Sequence, residues 1–369
     1  MYYAFLGHAR ELSLLELQSL GYTSSGVTDN IVEIAEPSLL TQLDKLGGTF
    51  KVAEGLREVD SDSCLSGLVE EITKDTSKNI AITDYADLEL SIPDLLSLKK
   101  QVALVRPIRL VSTDTAEHEI VMLRSQHVSE FNLIKVRGQI TIAKTVWLSD
   151  GLDWSGRDRA RPYQDIKRGM LPPKIARIMV NLAARGQSGT LLDPFCGTGT
   201  ILMEAMLTGL SVLGSDNDQA AIDGTRANLE WLSHTYSLKP DSYQLITADA
   251  THISEHVQSV DFIATEPYLG PLLESRSLPD LDKVKNIARG LDKLYRGSLR
   301  EWVKILAPRG VVCLVIPEFH LHQSGRTPQI IPTISVDTIT ALGYNIASQV
   351  SYSKPGAVVI RKITTLIKN

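Results

Sequence analysis

Residues 191–200 read Leu191-Leu192-Asp193-Pro194-Phe195-Cys196-Gly197-Thr198-Gly199-Thr200. An apolar strand ends there in a carboxylate, turns through two glycines and enters a helix over Thr200–Leu207. Glycine at 197 and 199 lets the backbone approach a ligand and adopt positive φ without a Cβ clash. The start of the helix offers unpaired N–H groups to that ligand. A second acid, Asp216, follows the next apolar run, Ser211–Gly214. That distance suits an acid gripping ribose hydroxyls across a βαβ unit. A dinucleotide fingerprint is excluded because Leu202 stands where its third glycine belongs, and no Gly-Lys-Ser/Thr marks a phosphate loop. Asp193 would itself repel a phosphate. An acid on each side suits a ligand that carries a positive centre and no phosphate. S-adenosylmethionine, with its sulfonium, ammonium, ribose and adenine, meets that description.

Working outward from this loop, β and α runs alternate. The helix Leu171–Ala184, with Pro172 and Pro173 in its first turn, precedes strand Thr190–Asp193. Strand Ser211–Ser215, helix Gln219–His234, and strands Tyr243–Thr247 and Phe262–Thr265 follow. Helix Gly290–Ile305, strand Gly310–Ile316, helix Ile334–Ala341 and a hairpin of Tyr344–Tyr352 with Ala357–Ile363 complete the order. This alternation predicts an α/β fold, a mostly parallel doubly wound sheet with an antiparallel edge. Ligands in such sheets sit at the carboxyl ends of the strands near the switch point. Asp193, Asp216, Asp249 and Thr265–Tyr268 all fall at such ends.

The stretch 1–150 has a different texture and predicts one or two small α+β modules. Strand-like runs are Tyr2–Leu6, Ile31–Ile34 and Val52–Val59, with a helix after Ala9-Arg10-Glu11. Cys64–Thr73 reads as helix, and the stretch from there to residue 95, with Asp84, Asp87 and Pro93, as loop. Further β-like runs are Val102–Val105, Ile108–Val111, Glu119–Leu123, Phe131–Val136 and Ile140–Trp147. There is no internal repeat.

The 369 residues suggest two or three domains with ample core material. A hydrophobic fraction of 43% with 22% charge is that of a soluble globular chain. No apolar run reaches the ~20 residues that cross a bilayer. Three scattered cysteines, Cys64, Cys196 and Cys313, fit neither a disulfide framework nor a metal site, and the expected setting is cytoplasmic. A net charge of −5 argues against indiscriminate nucleic-acid binding. The most basic stretch, Ser155–Arg177, nevertheless holds seven basic residues against Asp158 and Asp165. Its Arg157, Arg159, Arg161, Lys167 and Arg168 are candidates for holding RNA phosphates.

Candidate donor-site residues are Asp193, Phe195, Cys196, Gly197, Thr198, Gly199 and Thr200 of the loop. Asp216 with Asn217 and Asp249 with Ala250 complete the set. A carboxylate at 249 can accept from the adenine N6 amine while the Ala250 N–H donates to a ring nitrogen. At the fourth strand end, Thr265, Glu266, Pro267 and Tyr268 are the catalytic candidates. An exocyclic purine amine is a poor nucleophile because its lone pair is delocalised into the ring. Acceptors on its N–H bonds orient it and share developing positive charge. An adjacent aromatic ring stacks on the base. Nothing in this chemistry needs a metal.

The string Arg159-Ala160-Arg161-Pro162 with Gly169-Met170-Leu171-Pro172-Pro173, Asp193-Pro194-Phe195-Cys196-Gly197-Thr198-Gly199 and Gly214-Ser215-Asp216 resembles the THUMP-associated tRNA guanosine N2-methyltransferases. It is most similar to the branch that modifies guanosine at tRNA position 10. The close likeness runs from about Asp158 to Asp216. The resemblance implies a class I, Rossmann-like methyltransferase domain over 171–369 and a basic linker over 151–170. Ahead of them it implies a ferredoxin-like module over 1–65 and a THUMP-like RNA-binding module over 66–150. It further implies S-adenosylmethionine as donor and tRNA as partner, and some relatives act with a small activator subunit.

One motif departs from the family. Where the family has Asp-Pro-Pro-Tyr, this chain has Thr265-Glu266-Pro267-Tyr268. Alignment on Tyr268 puts Thr265 in the place of the catalytic Asp; alternatively Glu266 replaces it and one proline is deleted. Two rival functions share the donor site: amino-group methylation of rRNA or DNA, and a non-catalytic RNA-binding member of the fold.

Overall fold

Apolar runs ending in Asp or Gly and helices opened by Asp or Ser caps set the layout of the second half of the chain, whereas short alternating strands build the first. The computed structural model describes all residues except 112–119, 166–169, 240–241, 272, 274–279, 322–328 and 355. The chain is mixed α/β and divides into two compact units, Met1–Gly156 and Arg157–Asn369. Among the described residues no helix is long and apolar enough to cross a membrane.

In the first unit, strands β1 (Tyr2–Leu6), β2 (Ser24–Gly26), β3 (Ile31–Ile34) and β4 (Thr49–Val59) accompany helix α1 (Arg10–Ser19). Helix α2 (Cys64–Lys74), β5 (Asn79–Tyr85), α3 (Ile92–Ala103), β6 (Arg109–Val111), α4 (Ile120–Ser125), β7 (Ser129–Val136) and β8 (Gln139–Leu148) follow. All eight strands form one sheet in the order β2-β3-β1-β4-β8-β7-β5-β6. The β7–β8 turn places Arg137 and Gly138 at φ 49° and 89°, the paired positive values of a tight hairpin. At the centre, buried Lys51 of β4 donates to Glu130 Oε1 (2.9 Å) and Asn132 Oδ1 (2.7 Å) of β7. A buried ammonium is tolerable because its donors are satisfied in this way. Helix α5 (Gly151–Arg159) runs across the boundary between the units.

Three expectations for this unit are corrected. Residues 79–85, read as loop, are the inner strand β5, whose polar Thr83 is buried by a hydrogen bond to Glu130 (2.6 Å). The run Val102–Val105 is not a strand. Val102 belongs to α3, which a Ser91/Asp94 capping box opens upstream. The run Glu119–Leu123 is helical from Ile120, while Glu119 lies outside the described residues.

The second unit comprises α6 (Pro173–Ala184), β9 (Thr190–Asp193), α7 (Thr200–Leu207), β10 (Ser211–Asp216), α8 (Gln219–Tyr236), β11 (Tyr243–Thr247) and β12 (Val260–Thr265). It continues through α9 (Leu281–Ile305), β13 (Leu306–Leu321), β14 (Gln329–Pro332), α10 (Val336–Ala341), β15 (Tyr344–Tyr352) and β16 (Val359–Lys368). The strand order is β11-β10-β9-β12-β13-β16-β15, with β14 on β13. Strands β9 to β13 pair in parallel, and β16 runs antiparallel to both β13 and β15. The order reverses between β9 and β12, so their carboxyl ends flank the switch point.

Helix α9 starts earlier than the sequence reading placed it. Leu281, Val284, Ala288, Leu291 and Tyr295 continue its buried stripe upstream through Gly290, and Asp280 caps it by accepting from Asp282 N (3.2 Å). Strands β13 and β16 likewise outrun their expected ends, and β14 was not anticipated.

Candidate active site

Strand β9 delivers Asp193 to the switch point with only 2% of its surface exposed. Its Oδ1 accepts hydrogen bonds from Thr265 Oγ1 (2.7 Å) and Phe195 N (3.1 Å). Burial, aided by the charges of Asp216 and Glu266, pushes this carboxyl up to about 7 despite those two bonds. The loop beyond it turns through Gly197 (φ 52°) and Gly199 (φ 78°). A Cβ at Gly199 would stand 2.8 Å from Thr225 Cγ2, so both conformation and space demand glycine there.

Helix α8 holds this loop in shape. Thr225 Oγ1 donates to Gly197 O (2.7 Å) and Asn228 Nδ2 to Thr198 O (2.8 Å). Asp216, ending β10, accepts from Gly197 N (3.1 Å) and Asp218 N (3.0 Å). The Cys196 thiol is buried and held well above its ordinary value, which keeps it protonated and inert. After β11, exposed Asp249 accepts from the backbone N–H and hydroxyl of Thr251 (2.8 Å each), the backbone bond chiefly holding its carboxyl below the usual range.

At the end of β12 the two registers of the departing motif separate in space. The Thr265 side chain is fully buried and spends its hydroxyl on Asp193. Glu266 lines a cavity and accepts from Arg361 Nε (2.7 Å) on β16. Pro267 is buried, and Tyr268 is 59% exposed. The Tyr268 carbonyl is fixed by the buried Tyr295 hydroxyl (2.8 Å).

One cavity of about 860 Å³ joins the two ends of the site. Asp193, Asp216 and Asp249 contribute to its wall, as do Glu266, Pro267 and Tyr268. So do Phe195, Cys196, Gly197, Thr198, Thr200, Asn217 and Ala250. Of the expected residues at the strand ends, Gly199 and Thr265 stand outside its wall. The volume suits a nucleoside-sized ligand with a second planar group. Among the described residues no cluster of three or more His, Cys, Asp or Glu could hold a metal ion.

The basic segment is corrected in part. Arg157 and Arg161 are buried, so neither presents its guanidinium to RNA. Arg157 Nε (2.7 Å) and Arg177 Nη2 (2.8 Å) flank Glu204, which is fully buried in the apolar helix α7. Arg161 Nη1 donates to Thr200 Oγ1 (2.5 Å) at the start of that helix. A buried guanidinium needs a fixed anion or acceptor, and these contacts supply it. Arg159 is exposed; Lys167 and Arg168 lie outside the described residues.

Sequence reasoning missed Arg361, Asn228, Thr225, Glu204 and Tyr163. Asn228 clamps Tyr163 through its backbone N–H (2.8 Å) and carbonyl (2.9 Å), and the Tyr163 ring lies where a Cβ of Gly224 would be. Only Glu204 gave a local signal: a lone acid inside Thr200-Ile201-Leu202-Met203-Glu204-Ala205-Met206 must find a buried partner.

Comparison with known proteins agrees with this geometry. Residues 161–324 match the family model UPF0020, described as RMKL-like, methyltransferase domain. A tRNA (guanine(10)-N2)-dimethyltransferase of Methanothermobacter thermautotrophicus is 34% identical over 164 residues, covering 44% of this chain and 44% of that protein. The enzyme of the same name from Pyrococcus abyssi is 40% identical over 127 residues, 34% of this chain and 35% of that one. A tRNA (guanine(6)-N2)-methyltransferase of Thermus thermophilus is 29% identical over 156 residues, 40% of each chain. The match thus spans less than half the length of these curated relatives. The crystal structure of TrmN from Thermus thermophilus aligns over 100% of this chain and 99% of its own, at a TM-score of 0.52 and 16% identity, a likeness of fold. The likeness to the UPF0020, RMKL-like methyltransferase domain thus covers residues 161–324, less than half of the chain.

Proposed function

We propose that this chain is a class I, Rossmann-like methyltransferase. It moves a methyl group from S-adenosylmethionine to the exocyclic N2 of a guanosine in tRNA, at position 10. The observation that carries the reading is the meeting of three strand-end carboxylates and Glu266-Pro267-Tyr268 on one cavity. The first unit, read as ferredoxin-like (1–65) and THUMP-like (66–150) modules, is assigned the recognition of tRNA shape. The exposed Arg159, with Lys167 and Arg168, is assigned to RNA phosphates.

The donor half fits its ligand by charge. Buried Asp193 offers an anion to a cationic ligand, and the glycine loop offers backbone at close range. Asp216 is assigned the ribose hydroxyls, and Asp249 with the Ala250 N–H the adenine edge. S-adenosylmethionine supplies, when bound, a methyl group on an electron-poor sulfonium. At the acceptor end Glu266 accepts an N–H of the guanine amine, turning its lone pair out of conjugation with the ring. It stabilises the positive charge that grows on nitrogen and takes the proton that nitrogen sheds. The exposed Tyr268 ring offers a face on which the extruded base stacks.

Methyl incorporation by the purified chain alone, into tRNA, rRNA and DNA, tests this. Mass spectrometry of the product nucleosides locates the methyl. N2-methylated guanosine from tRNA is expected, with activity abolished in Glu266→Gln and retained at a reduced level in Thr265→Ala. No incorporation into any of the three would overturn the catalytic reading. Restoration of transfer by a cell extract would identify a need for an activator subunit.

A further inference from the structure

The Glu266–Arg361 pair is unusual in its placement. It joins the carboxyl end of β12 to the antiparallel strand β16, and both side chains reach the cavity wall. They are 16% and 34% exposed. An ion pair wet to that degree adds little to folding stability. Among the described residues Glu266 is the only side chain hydrogen-bonded to Arg361, through Nε and Oε1. Arginine has four further N–H donors on its Nη atoms. A carboxylate beside a guanidinium edge therefore faces the place assigned to the base.

That combination matches one purine edge. Guanine presents N2–H and N1–H as neighbouring donors, followed by O6 as an acceptor. Adenine presents a donor and then a lone pair at N1, which a carboxylate repels. Building on the reading of guanine as acceptor, we infer that Glu266 and Arg361 together select the base. Glu266 accepts from N2–H and N1–H, and an Arg361 Nη donates to O6. Arg361 is thus a specificity and positioning residue. It also offsets the repulsion that Glu266 feels from Asp193, the other carboxylate coupled to it at the switch point.

The test uses two transcripts of one tRNA, carrying guanosine or 2-aminopurine at the methylated position. 2-Aminopurine keeps the reacting amine but lacks both N1–H and O6. The unsubstituted protein is expected to favour guanosine by about 100-fold or more in kcat/KM, as sites built on buried hydrogen bonds do. Arg361→Gln is expected to bring that ratio below about 10 with little change in unfolding temperature, and Arg361→Lys, a cation without the fork that reaches Glu266 and O6 together, to recover only part of it. Equilibrium competition between the two RNAs reads the same pattern without turnover. An unchanged ratio in Arg361→Gln, or equal use of both RNAs by the unsubstituted protein, would overturn the base-selection role while leaving the methyltransferase reading intact. Failure of the unsubstituted protein to methylate any nucleic acid would remove both.

Discussion

Asp193 carries two demands that oppose each other. A carboxyl with 2% exposure favours its neutral form, yet the assigned ligand is a cation. Its folded value near 7 lies above the ordinary 3.8, so the folded protein holds this proton more tightly than the unfolded chain. The resulting stabilisation is full below about pH 4 and is lost as pH rises through 7, on the order of 4 kcal/mol in all. Asp193→Asn keeps an acceptor for Thr265 and Phe195 without the charge. Its unfolding temperature is expected to exceed that of the unsubstituted protein above pH 8, with the difference closing toward pH 5. In calorimetry the same variant is expected to bind S-adenosylmethionine about 100-fold more weakly. In the unsubstituted protein, donor affinity is expected to fall about tenfold per unit as pH drops below 7, because the proton must leave before the cation binds. At this scale the acids were legible because each ends an apolar run. Arg361 was not, because nothing near Val359-Ile360-Arg361-Lys362 signals a partner 95 residues earlier.

At the scale of elements, the glycine loop keeps its shape through α8 and through the chain that precedes α6. Asn228, fully buried, bonds the Thr198 carbonyl and both backbone groups of Tyr163. Asn228→Ala strands those groups without water and is expected to cost about 2–4 kcal/mol. Thermal unfolding would then begin about 5–15 °C lower, with amide exchange at Tyr163 accelerated first. Glu204→Ala removes the carboxylate that Arg157 and Arg177 share in the interior, and about 3–5 kcal/mol of destabilisation is expected in denaturant titration. The parallel strands of the second unit could be read from sequence because each holds an apolar run punctuated by Asp, Gly or Ser, whereas the short β14, Gln329–Pro332, carries no such punctuation. In the first unit the signal was split. Strand β5 hides Thr83 behind a hydrogen bond to Glu130, and the capping box Ser91/Asp94 outweighs the β-branched residues at the far end of α3. Arginines 157 and 161 read as surface charge because their partners, Glu204 and Thr200, lie 47 and 39 residues away.

At the scale of the whole molecule, the boundary at residue 157 has a practical consequence. A fragment 157–369 retains Arg157, Arg161 and Tyr163 with their partners. It is expected to unfold cooperatively and to bind S-adenosylmethionine, while methylating tRNA far more slowly than the full chain. A fragment 171–369, cut where the alternating β and α pattern begins, exposes Glu204 and frees Asn228, and is expected to lose donor binding in the same calorimetric assay. The comparison separates the contribution of the preceding segment from that of the first unit. Strand β16 sets a further constraint. Among the described strands it comes latest in sequence, yet it pairs on both sides between β13 and β15 and carries Arg361. During synthesis on the ribosome, the glycine loop and its acids can assemble long before that strand emerges. A translation product cut short before residue 359 lacks the guanidinium assigned to the base, so on this reading discrimination waits for a strand translated long after the glycine loop.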